Sequence, residues 1–278
     1  MDTRQRIIQS ETLYGIPTLT IYPKDAENLP VVFYVHGLTS NKRSGIELGD
    51  MLAEAGICMV AMDAAMHGER LDDRIRTAWE KPSSEDIYPF ESGLDRLFLM
   101  FQIVEQTARD METLIHHFST DPRMNIHRLG VCGSSMGGFV AFLMAARFEM
   151  VQAAVTFISH ASFLEHWENA LMEAGSNPKW QKTIQSVEAE TLKRTAFIRQ
   201  LDPLEKLQTR FAPKPLLMIV AGQDTDIPKT YATRLGKVLQ PFYAGYPDQL
   251  RLSYHSGITH RVTSDMRLQA RDWFVRFL

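Results

Sequence analysis

The order of apolar and polar residues along the chain predicts a sheet whose strands are mostly covered on both faces. Two alternating, β-branched segments on either side of Gly15 predict an antiparallel hairpin at one edge of this sheet. Later runs are apolar at successive positions, which is typical of parallel strands buried between two layers of helices. These runs are VVFYVHG (31–37), ICMVAMDA (57–64), LGVCGSS (129–135), AAVTFIS (153–159), LLMIVAG (216–222) and LRLSYHSG (250–257). Together with the hairpin they predict about eight strands.

Between these strands, apolar residues recur every three to four positions, as on one face of a helix. Such segments are IELGDMLAEAG (46–56), GLDRLFLMFQIVEQTARDMETLIHHF (93–118), GGFVAFLMAARF (137–148), KTYATRLGKVL (229–239) and SDMRLQARDWFVRFL (264–278). Because strand and helix alternate, the pattern predicts an α/β protein with a doubly wound, mostly parallel sheet and helices on both faces. We expect a single domain over residues 1–278.

Two stretches interrupt the alternation. Residues 70–92 are polar and contain Pro82 and Pro89, which predicts a loop. Residues 160–213 are helical in pattern and too long for a plain connection, so we expect a short, cap-like helical insertion. An apolar stripe at helical spacing runs along its first part, through Leu164, Trp167, Leu171 and Met172. This stripe packs on the sheet in the simpler interpretation and lines a substrate pocket in the other.

Composition and charge narrow the class of protein. Apolar residues make up 45% of the chain and charged residues 23%, which is typical of a globular protein. A net charge of -3 offers no basic surface for nucleic acid. No segment has the apolar length of a signal peptide or a membrane span, and Cys58 and Cys132 lie in apolar runs rather than in a disulfide framework. We therefore expect a cytoplasmic monomer or homodimer that acts on a small molecule, with no nucleic-acid or membrane partner.

The stretch VCGSSMGGF (131–139) joins a predicted strand to a predicted helix and contains the pattern G-x-S-x-G. Only Ser135 fits this pattern, because the same frame around Ser134 begins at Cys132 and ends at Met136. A serine on such a sharp turn is exposed above the sheet, and glycines two residues away on each side avoid a clash. Ser135 is therefore the predicted nucleophile, and Ser134 is predicted to be a small residue that fits the turn.

Two backbone N–H groups are predicted to stabilise negative charge beside this serine. Met136 opens the following helix, whose first N–H groups lack partners within the helix. The second donor is expected from HGLTS (36–40), where Gly37 lets the backbone approach closely and Leu38 follows it. His36 fits a strand-end residue that braces this loop better than it fits a direct chemical role.

A serine needs a base, and the base needs a carboxylate that orients it. His260 lies in the loop between the last strand and the final helix, whereas His255 falls inside the strand pattern, so we favour His260 as the base. In the loop QDTDIPKTY we favour Asp224 as the acid, because Asp226 is close enough to the helix start at Pro228 to cap that helix. Asp226 stays open as the alternative.

Other chemistry-bearing residues have simpler explanations. His36, His67, His160 and Trp167 are candidates for the lining of the substrate pocket, but structural bracing, or packing on the sheet for Trp167, is the preferred explanation of each. His166 begins the insertion beside His160 and is expected to have a structural role or to lie at the rim. No cofactor is expected, and no metal site either, because the paired histidines at 116 and 117 do not provide clustered ligands.

The segments HGLTS, DAAMHGER, GSSMGG, GQDTDIP and GITHR together resemble those of the α/β-hydrolase superfamily. They are most similar to small bacterial carboxylesterases near dienelactone hydrolase and the catalytic domains of prolyl oligopeptidases. The resemblance spans the chain from the first hairpin to the last helix. It implies an α/β-hydrolase fold in which Ser135, Asp224 and His260 hydrolyse a short-acyl ester and the N–H groups of Leu38 and Met136 form the oxyanion hole.

The resemblance leaves alternatives open. The acid loop has one residue fewer than usual between Gly222 and Asp224, which keeps Asp226 a candidate for the acid. A thioesterase, an amidase or a peptidase would use the same residues on another acyl group. A ligand-binding homologue without activity is expected to lack the serine, the histidine or the acid, and all three are present here.

Overall fold

The computed structural model describes residues 5–75, 89–176 and 188–278 and builds them around an eight-stranded sheet. The strands are β1 (Arg6–Leu13), β2 (Ile16–Pro23), β3 (Leu29–Val35), β4 (Cys58–Met62), β5 (Met124–Ser134), β6 (Val151–Phe157), β7 (Leu216–Ala221) and β8 (Leu250–His255). Their order is β1-β2-β4-β3-β5-β6-β7-β8. Only β2 runs against its neighbours in this sheet, and the pairs from β4 to β8 are parallel. The predicted mostly parallel sheet is confirmed.

Helices cover both faces of the sheet. The longer helices are α1 (Ile46–Glu54), α2 (Pro89–Phe118), α3 (Met136–Arg147), α4 (Phe163–Gly175), α5 (Glu188–Leu201), α6 (Lys229–Leu239) and α7 (Ser264–Phe277). Apolar residues of α1 and α7 pack on one face, and those of α2, α3 and α6 pack on the other. None of the helices in the described ranges is long and apolar enough to cross a membrane.

Strand β3 explains why the central strands are apolar at every position. Val31, Phe33 and Val35 point into the cluster under α2 and α3, whereas Val32 and Tyr34 point into the cluster under α1 and α7. Successive side chains of a strand alternate between faces, so a strand with helices on both sides has no solvent-facing position. The same burial applies to every residue of β4 and β7.

The predicted polar loop over residues 70–92 differs from the structure at its end. Its middle, including Pro82, lies outside the described residues. Helix α2 begins at Pro89, so the last part of the predicted loop is helical. Proline is favoured in the first turn of a helix because its missing N–H would have no partner there, and Pro89 therefore marks a helix start rather than a loop.

Within the predicted insertion at residues 160–213, α4 and α5 pack against each other and against α2. The Trp167 indole N–H donates to Thr195 Oγ1 at 2.8 Å, and the Phe98 ring lies 5.5 Å from Phe197 and 6.2 Å from Trp167. Trp167 is 1% exposed, but Met172, at the other end of the predicted stripe, is 65% exposed. Of the stripe, Trp167 is buried, Leu164 and Leu171 are partly buried and Met172 is exposed, and the role of the insertion as a cap stays a prediction.

A buried ion pair fixes the loops that follow β3 and β4. The Lys42 ammonium lies 3.1 Å from Asp63 Oδ2, and the backbone N–H groups of Lys42 and Glu69 donate to the same carboxylate. Burial by itself would raise the pKa of Asp63, but these two N–H groups and the ammonium outweigh it and hold the pKa below its ordinary value of 3.8. Gly68 adopts φ +58°, and a Cβ there would lie 2.2 Å from Asp63 Cγ.

We expect Asp63→Asn to lower the free energy of unfolding by about 3 kcal/mol, because the substitution removes the buried carboxylate beside the Lys42 ammonium and leaves that ammonium paired only with the more exposed Glu69. Urea unfolding at pH 7 would measure the loss. The control is Asp248→Asn, which breaks the exposed ion pair with Arg276 and should cost less than about 1 kcal/mol. Equal losses from both substitutions would contradict a structural role for the buried pair.

The same pair predicts a pH dependence. Because the folded state depresses the pKa of Asp63, its stabilisation is present above the ordinary value of 3.8 and is lost as the pH falls through the folded-state pKa. The gap in unfolding free energy between wild type and Asp63→Asn should therefore be full at pH 6 and shrink below about pH 4. A gap that widens on acidification would argue against this assignment.

Candidate active site

The carboxyl ends of the parallel strands bring four loops together at one edge of the sheet. These loops follow β3, β5, β7 and β8, and they carry Leu38, Ser135, Asp224 and His260. Ligands of open α/β sheets bind at this edge, because the loops there converge while the sheet supports them from below. All four predicted residues therefore lie in loops at the same edge of the sheet.

Ser135 sits on a strained turn between β5 and α3. Its backbone has φ +52° and ψ -116°, a region that non-glycine residues rarely adopt. Its N–H donates to the Phe157 carbonyl of β6 at 2.9 Å, which ties the turn to the sheet. A Cβ at Gly133 would lie 2.0 Å from the Gly137 carbonyl oxygen, and a Cβ at Gly137 would lie 2.1 Å from the Val35 carbonyl oxygen. Neither position can therefore accommodate a side chain, and glycine is required at both.

Two hydrogen bonds connect the serine to a histidine and a carboxylate. His260 Nε2 lies 2.9 Å from Ser135 Oγ, and His260 Nδ1 lies 2.7 Å from Asp224 Oδ2. The Asp224 side chain is 1% exposed, whereas that of His260 is 26% exposed. The other Asp224 oxygen accepts the backbone N–H groups of Asp226 and Ile227, each at 3.0 Å. The carboxylate is thus fixed by its own loop and turned toward the imidazole.

Asp226 does not cap the helix that follows. Helix α6 begins at Lys229 with Pro228 as its N-cap residue, and no side chain bonds to that cap. Asp226 is exposed and lies beside the cavity described below, while Asp224 holds the turn. The reason given from the sequence for setting Asp226 aside is therefore wrong, although the geometry agrees with the choice of Asp224.

Within the described ranges, Asp224, Asp226 and His260 form a group of possible metal ligands whose ligand atoms lie within 4.8 Å of one another. The bond between His260 Nδ1 and Asp224 Oδ2 needs a proton between the two atoms. Those two atoms therefore cannot both bind a cation while the hydrogen bond is kept. The arrangement fits a proton-transfer chain better than a metal centre.

The N–H groups predicted to face an oxyanion lie on the two loops nearest Ser135. Met136 is the first residue of α3, where N–H groups lack partners within the helix and carry the positive end of its dipole. Leu38 lies in the cavity lining. A Cβ at Gly37 would lie 3.5 Å from the Ser134 carbonyl oxygen, an ordinary contact, so the tight contacts within the protein occur at the turn itself.

His36 braces the loop after β3, as the sequence suggested. Its Nδ1–H donates to the Gly37 carbonyl at 2.7 Å, and its Nε2 accepts the Ala64 N–H at 3.1 Å. The bond to Ala64 fixes the proton on Nδ1, since a backbone N–H can only donate. Burial lowers the pKa of His36 to about 4, so the ring stays neutral near pH 7.

A cavity of about 730 Å³ opens beside Ser135 and His260. Its lining includes the apolar side chains of Leu38, Leu97, Met100, Phe139 and Ile158. The predicted pocket residues His36, His67, His160 and Trp167 lie elsewhere, since all four are at most 1% exposed and none belongs to this lining. The structure therefore places these four behind the pocket wall, because each bonds or packs within the loops and helices that support it.

Three polar residues of the lining differ from the expectations drawn from the sequence, which did not single out Tyr34, assigned Ser134 to the turn and gave His166 a structural or rim position. Tyr34, Ser134 and His166 all face the cavity. The Tyr34 hydroxyl lies 3.4 Å from Ser134 Oγ and 3.3 Å from Ser44 Oγ, so Ser134 contributes to the wall as well as fitting the turn. The position of Tyr34 near the carboxyl end of a buried strand was the available signal, because a tyrosine needs a polar environment for its hydroxyl.

Comparison with known proteins agrees with the motifs. A family model described as "Dienelactone hydrolase family" matches residues 16–269. The chain is similar to "Putative esterase YitV" of Bacillus subtilis (strain 168), with 24% identity over 282 residues, which is 98% of this chain and 99% of that protein. It is also similar to "Esterase YjfP" of Escherichia coli (strain K12), with 25% identity over 260 residues, which is 93% and 94% of the two chains.

A solved structure shows the same fold. Protein TT1662 from Thermus thermophilus aligns with 99% of this chain and 100% of its own, with a TM-score of 0.67 and 19% identity. The family resemblance and the fold predicted from the motifs are confirmed.

We expect Gly133→Ala to destabilise the protein strongly, because the new methyl group would overlap the Gly137 carbonyl and the turn cannot move without breaking the bond to β6. A loss of at least about 3 kcal/mol of unfolding free energy is expected, as for severe overpacking. Gly245→Ala is the control, since a Cβ there meets nothing within 4 Å. If both variants unfold at the same denaturant concentration, the turn is not as tight as described.

Proposed function

Because the chain belongs to the dienelactone hydrolase family, we propose that it is a serine carboxylesterase that cleaves small, short-acyl esters through an acyl-enzyme on Ser135. The observation that carries the proposal is the continuous chain of two hydrogen bonds from Ser135 Oγ through His260 to Asp224. Each of the three groups has an environment that suits its role in acyl transfer. The acid is buried, the imidazole that acts as the base is partly exposed, and the nucleophilic serine lies on a strained turn.

The first half of the reaction forms the acyl-enzyme. As Ser135 Oγ attacks the ester carbonyl carbon, its proton moves to His260 Nε2, and the carbonyl π bond becomes an oxyanion. Asp224 accepts the Nδ1–H of the imidazolium and keeps Nε2 turned toward the serine. The C–O bond to the alcohol then breaks, and His260 returns the proton to the leaving alkoxide, so the alcohol departs neutral.

The oxyanion forms near two backbone N–H groups, those of Met136 and Leu38. Donors of this kind are already oriented before the reaction, so they stabilise the developing charge without reorganising. Removal of one such donor in serine hydrolases costs on the order of 10²–10³ in kcat. The dipole of α3, which begins at Met136, adds to the effect at the same point.

The second half of the reaction uses water in place of the serine. His260 takes a proton from water, the resulting hydroxide attacks the acyl carbon, and the same N–H groups bind the new oxyanion. The bond to Ser135 Oγ then breaks and Oγ regains its proton from His260, which restores the free enzyme and releases the acid. The His260 side chain is 26% exposed, which suits a base that must take a proton from water.

The cavity favours small acyl groups. Its volume of about 730 Å³ falls within the range of about 300–1,000 Å³ that small-molecule sites occupy. Its lining includes the apolar side chains of Leu97, Met100 and Phe139, which suit a short alkyl chain. The preference for short acyl groups is part of the proposal.

We expect Ser135→Ala to lower kcat/KM for nitrophenyl acetate and butyrate by at least about 10³-fold, because serine, histidine and acid act as a unit. The wild type measured on thioesters and aminoacyl amides as well would show which class of acyl compound it prefers. The matched control is Ser119→Ala, an exposed serine at the end of α2. Ester activity that persists in Ser135→Ala at the level of this control would overturn the assignment.

A fluorophosphonate probe separates the two neighbouring serines. One adduct per chain is expected on Ser135, and peptide mapping should place it there rather than on Ser134. Labelling of Ser134 would reassign the nucleophile.

Asp224→Asn should lower kcat by about 10²–10⁴-fold, because an amide in this position favours the wrong imidazole tautomer. Asp226→Asn is the matched substitution two residues away, and its loss should stay below about tenfold, since no bond joins Asp226 to His260. Parallel kinetics on nitrophenyl butyrate, with circular dichroism to check folding, would measure both. A larger loss for Asp226→Asn would transfer the acid role to that residue.

A further inference from the structure

A second histidine pair lies beside the cavity and is separate from His260. His160 Nε2 lies 3.0 Å from His166 Nδ1, and the Ser162 backbone N–H points at His160 Nδ1 at 3.2 Å. His160 is fully buried, whereas His166 on α4 is partly exposed and belongs to the cavity lining. The mechanism proposed above does not use either ring.

The hydrogen bonds determine which nitrogen carries each proton. A backbone N–H can only donate, so His160 Nδ1 must accept and the proton of the neutral ring must lie on Nε2. His160 Nε2–H therefore donates to His166 Nδ1. His166 Nδ1 is then an acceptor, and the proton of neutral His166 lies on Nε2. The edge of His166 that faces away from His160 thus carries an N–H group.

The surroundings keep both rings neutral and in place. The His160 ring stacks on Tyr231 with centroids 4.3 Å apart, and the Phe139 ring meets it edge-on at 4.9 Å. Tyr231 is itself held by a bond from Asn169 Nδ2 to its hydroxyl at 3.0 Å. Burial lowers the pKa of His166 to about 4 and holds that of His160 well below its ordinary value of 6.5, so neither ring is charged near pH 7.

We propose that His166 Nε2–H is a neutral hydrogen-bond donor to an uncharged oxygen of the substrate, and that the enzyme prefers esters carrying a second acceptor oxygen. The inference rests on the proposed esterase function. A fixed N–H of a residue that lines the cavity is left without a partner when an all-carbon chain fills the space beside it, whereas an ether, hydroxyl or carbonyl oxygen can satisfy it. Sites built around a polar group reject analogues that lack its partner for this reason.

Two pairs of nearly isosteric esters test the preference. Nitrophenyl methoxyacetate and nitrophenyl butyrate differ by an oxygen in place of a methylene in the acyl group. 2-Ethoxyethyl acetate and pentyl acetate differ in the same way in the alcohol. Within each pair, the quantity to compare is the ratio of kcat/KM for the oxygen-containing ester to that for the all-carbon ester, because the inherent reactivity of each ester cancels between enzyme variants.

In at least one pair, His166→Phe should lower this ratio by about tenfold, the usual scale for one neutral hydrogen bond whose partner is otherwise unsatisfied. His166→Gln keeps an N–H donor and should restore part of the ratio. His127→Phe, the same change at an exposed histidine on β5, should keep the wild-type ratio. Ratios in His166→Phe that equal those of wild type in both pairs would overturn the proposal.

These outcomes are independent of the test of the proposed function. Ser135→Ala reports on hydrolysis itself, whereas the ratio compares two esters hydrolysed by one enzyme variant that keeps Ser135. An unchanged ratio together with hydrolysis that depends on Ser135 rejects the role of His166 alone.

The positions of the protons on His160 and His166 can be measured directly in the protein without substrate. Nitrogen-15 NMR of histidine-labelled protein at pH 7 should show protonated Nε2 and unprotonated Nδ1 for both His160 and His166, with each assigned by its substitution. A proton on Nδ1 of His166 would contradict the proposal, because Nε2 would then be an acceptor toward the cavity.

Discussion

The close approach of three backbone segments at Ser135 is the constraint on which the rest of the site depends. The turn after β5 lies against the end of β3 on one side and bonds to β6 on the other, so that neither Gly133 nor Gly137 has room for a side chain. The strained φ of Ser135 persists because these contacts determine it from several directions. The serine therefore stands in one position, and the loops carrying the histidine and the acid meet it there.

Buried polar residues hold those loops by a second set of contacts. Asp63 accepts from the loops after β3 and β4, and His36 connects the same two loops through Gly37 and Ala64. Each of these groups is satisfied by backbone partners, which makes it stabilising rather than costly to bury. The edge of the sheet thus contains two kinds of polar side chain: those that face the cavity, and those that keep its wall in place.

The sequence predicts the fold and the Ser135, His260 and Asp224 arrangement well because both follow from order along the chain. Parallel strands place their following loops at one edge, and this rule alone selects His260 over His255. The pocket lining could not be predicted correctly from the sequence. Whether a side chain faces the cavity or lies behind its wall depends on packing between loops that are distant in sequence. His36 and His166 are both histidines next to strand or helix ends, yet only His166 faces the cavity. Met172 fits the helical stripe equally well and is nonetheless exposed.

The hydrogen-bonded residues of the site are far apart in sequence, which affects when the site forms during folding. Ser135 and His260 are 125 positions apart, and Asp224 and His260 are 36 apart, with the helices of the insertion and three sheet strands between the serine and the histidine. Contacts of such separation form late, since the chain between them must first be ordered. During synthesis, the histidine leaves the ribosome after almost all of the core has been translated. Hydrolysis that depends on Ser135 therefore reports the completed fold, and partly folded chains do not contribute to it.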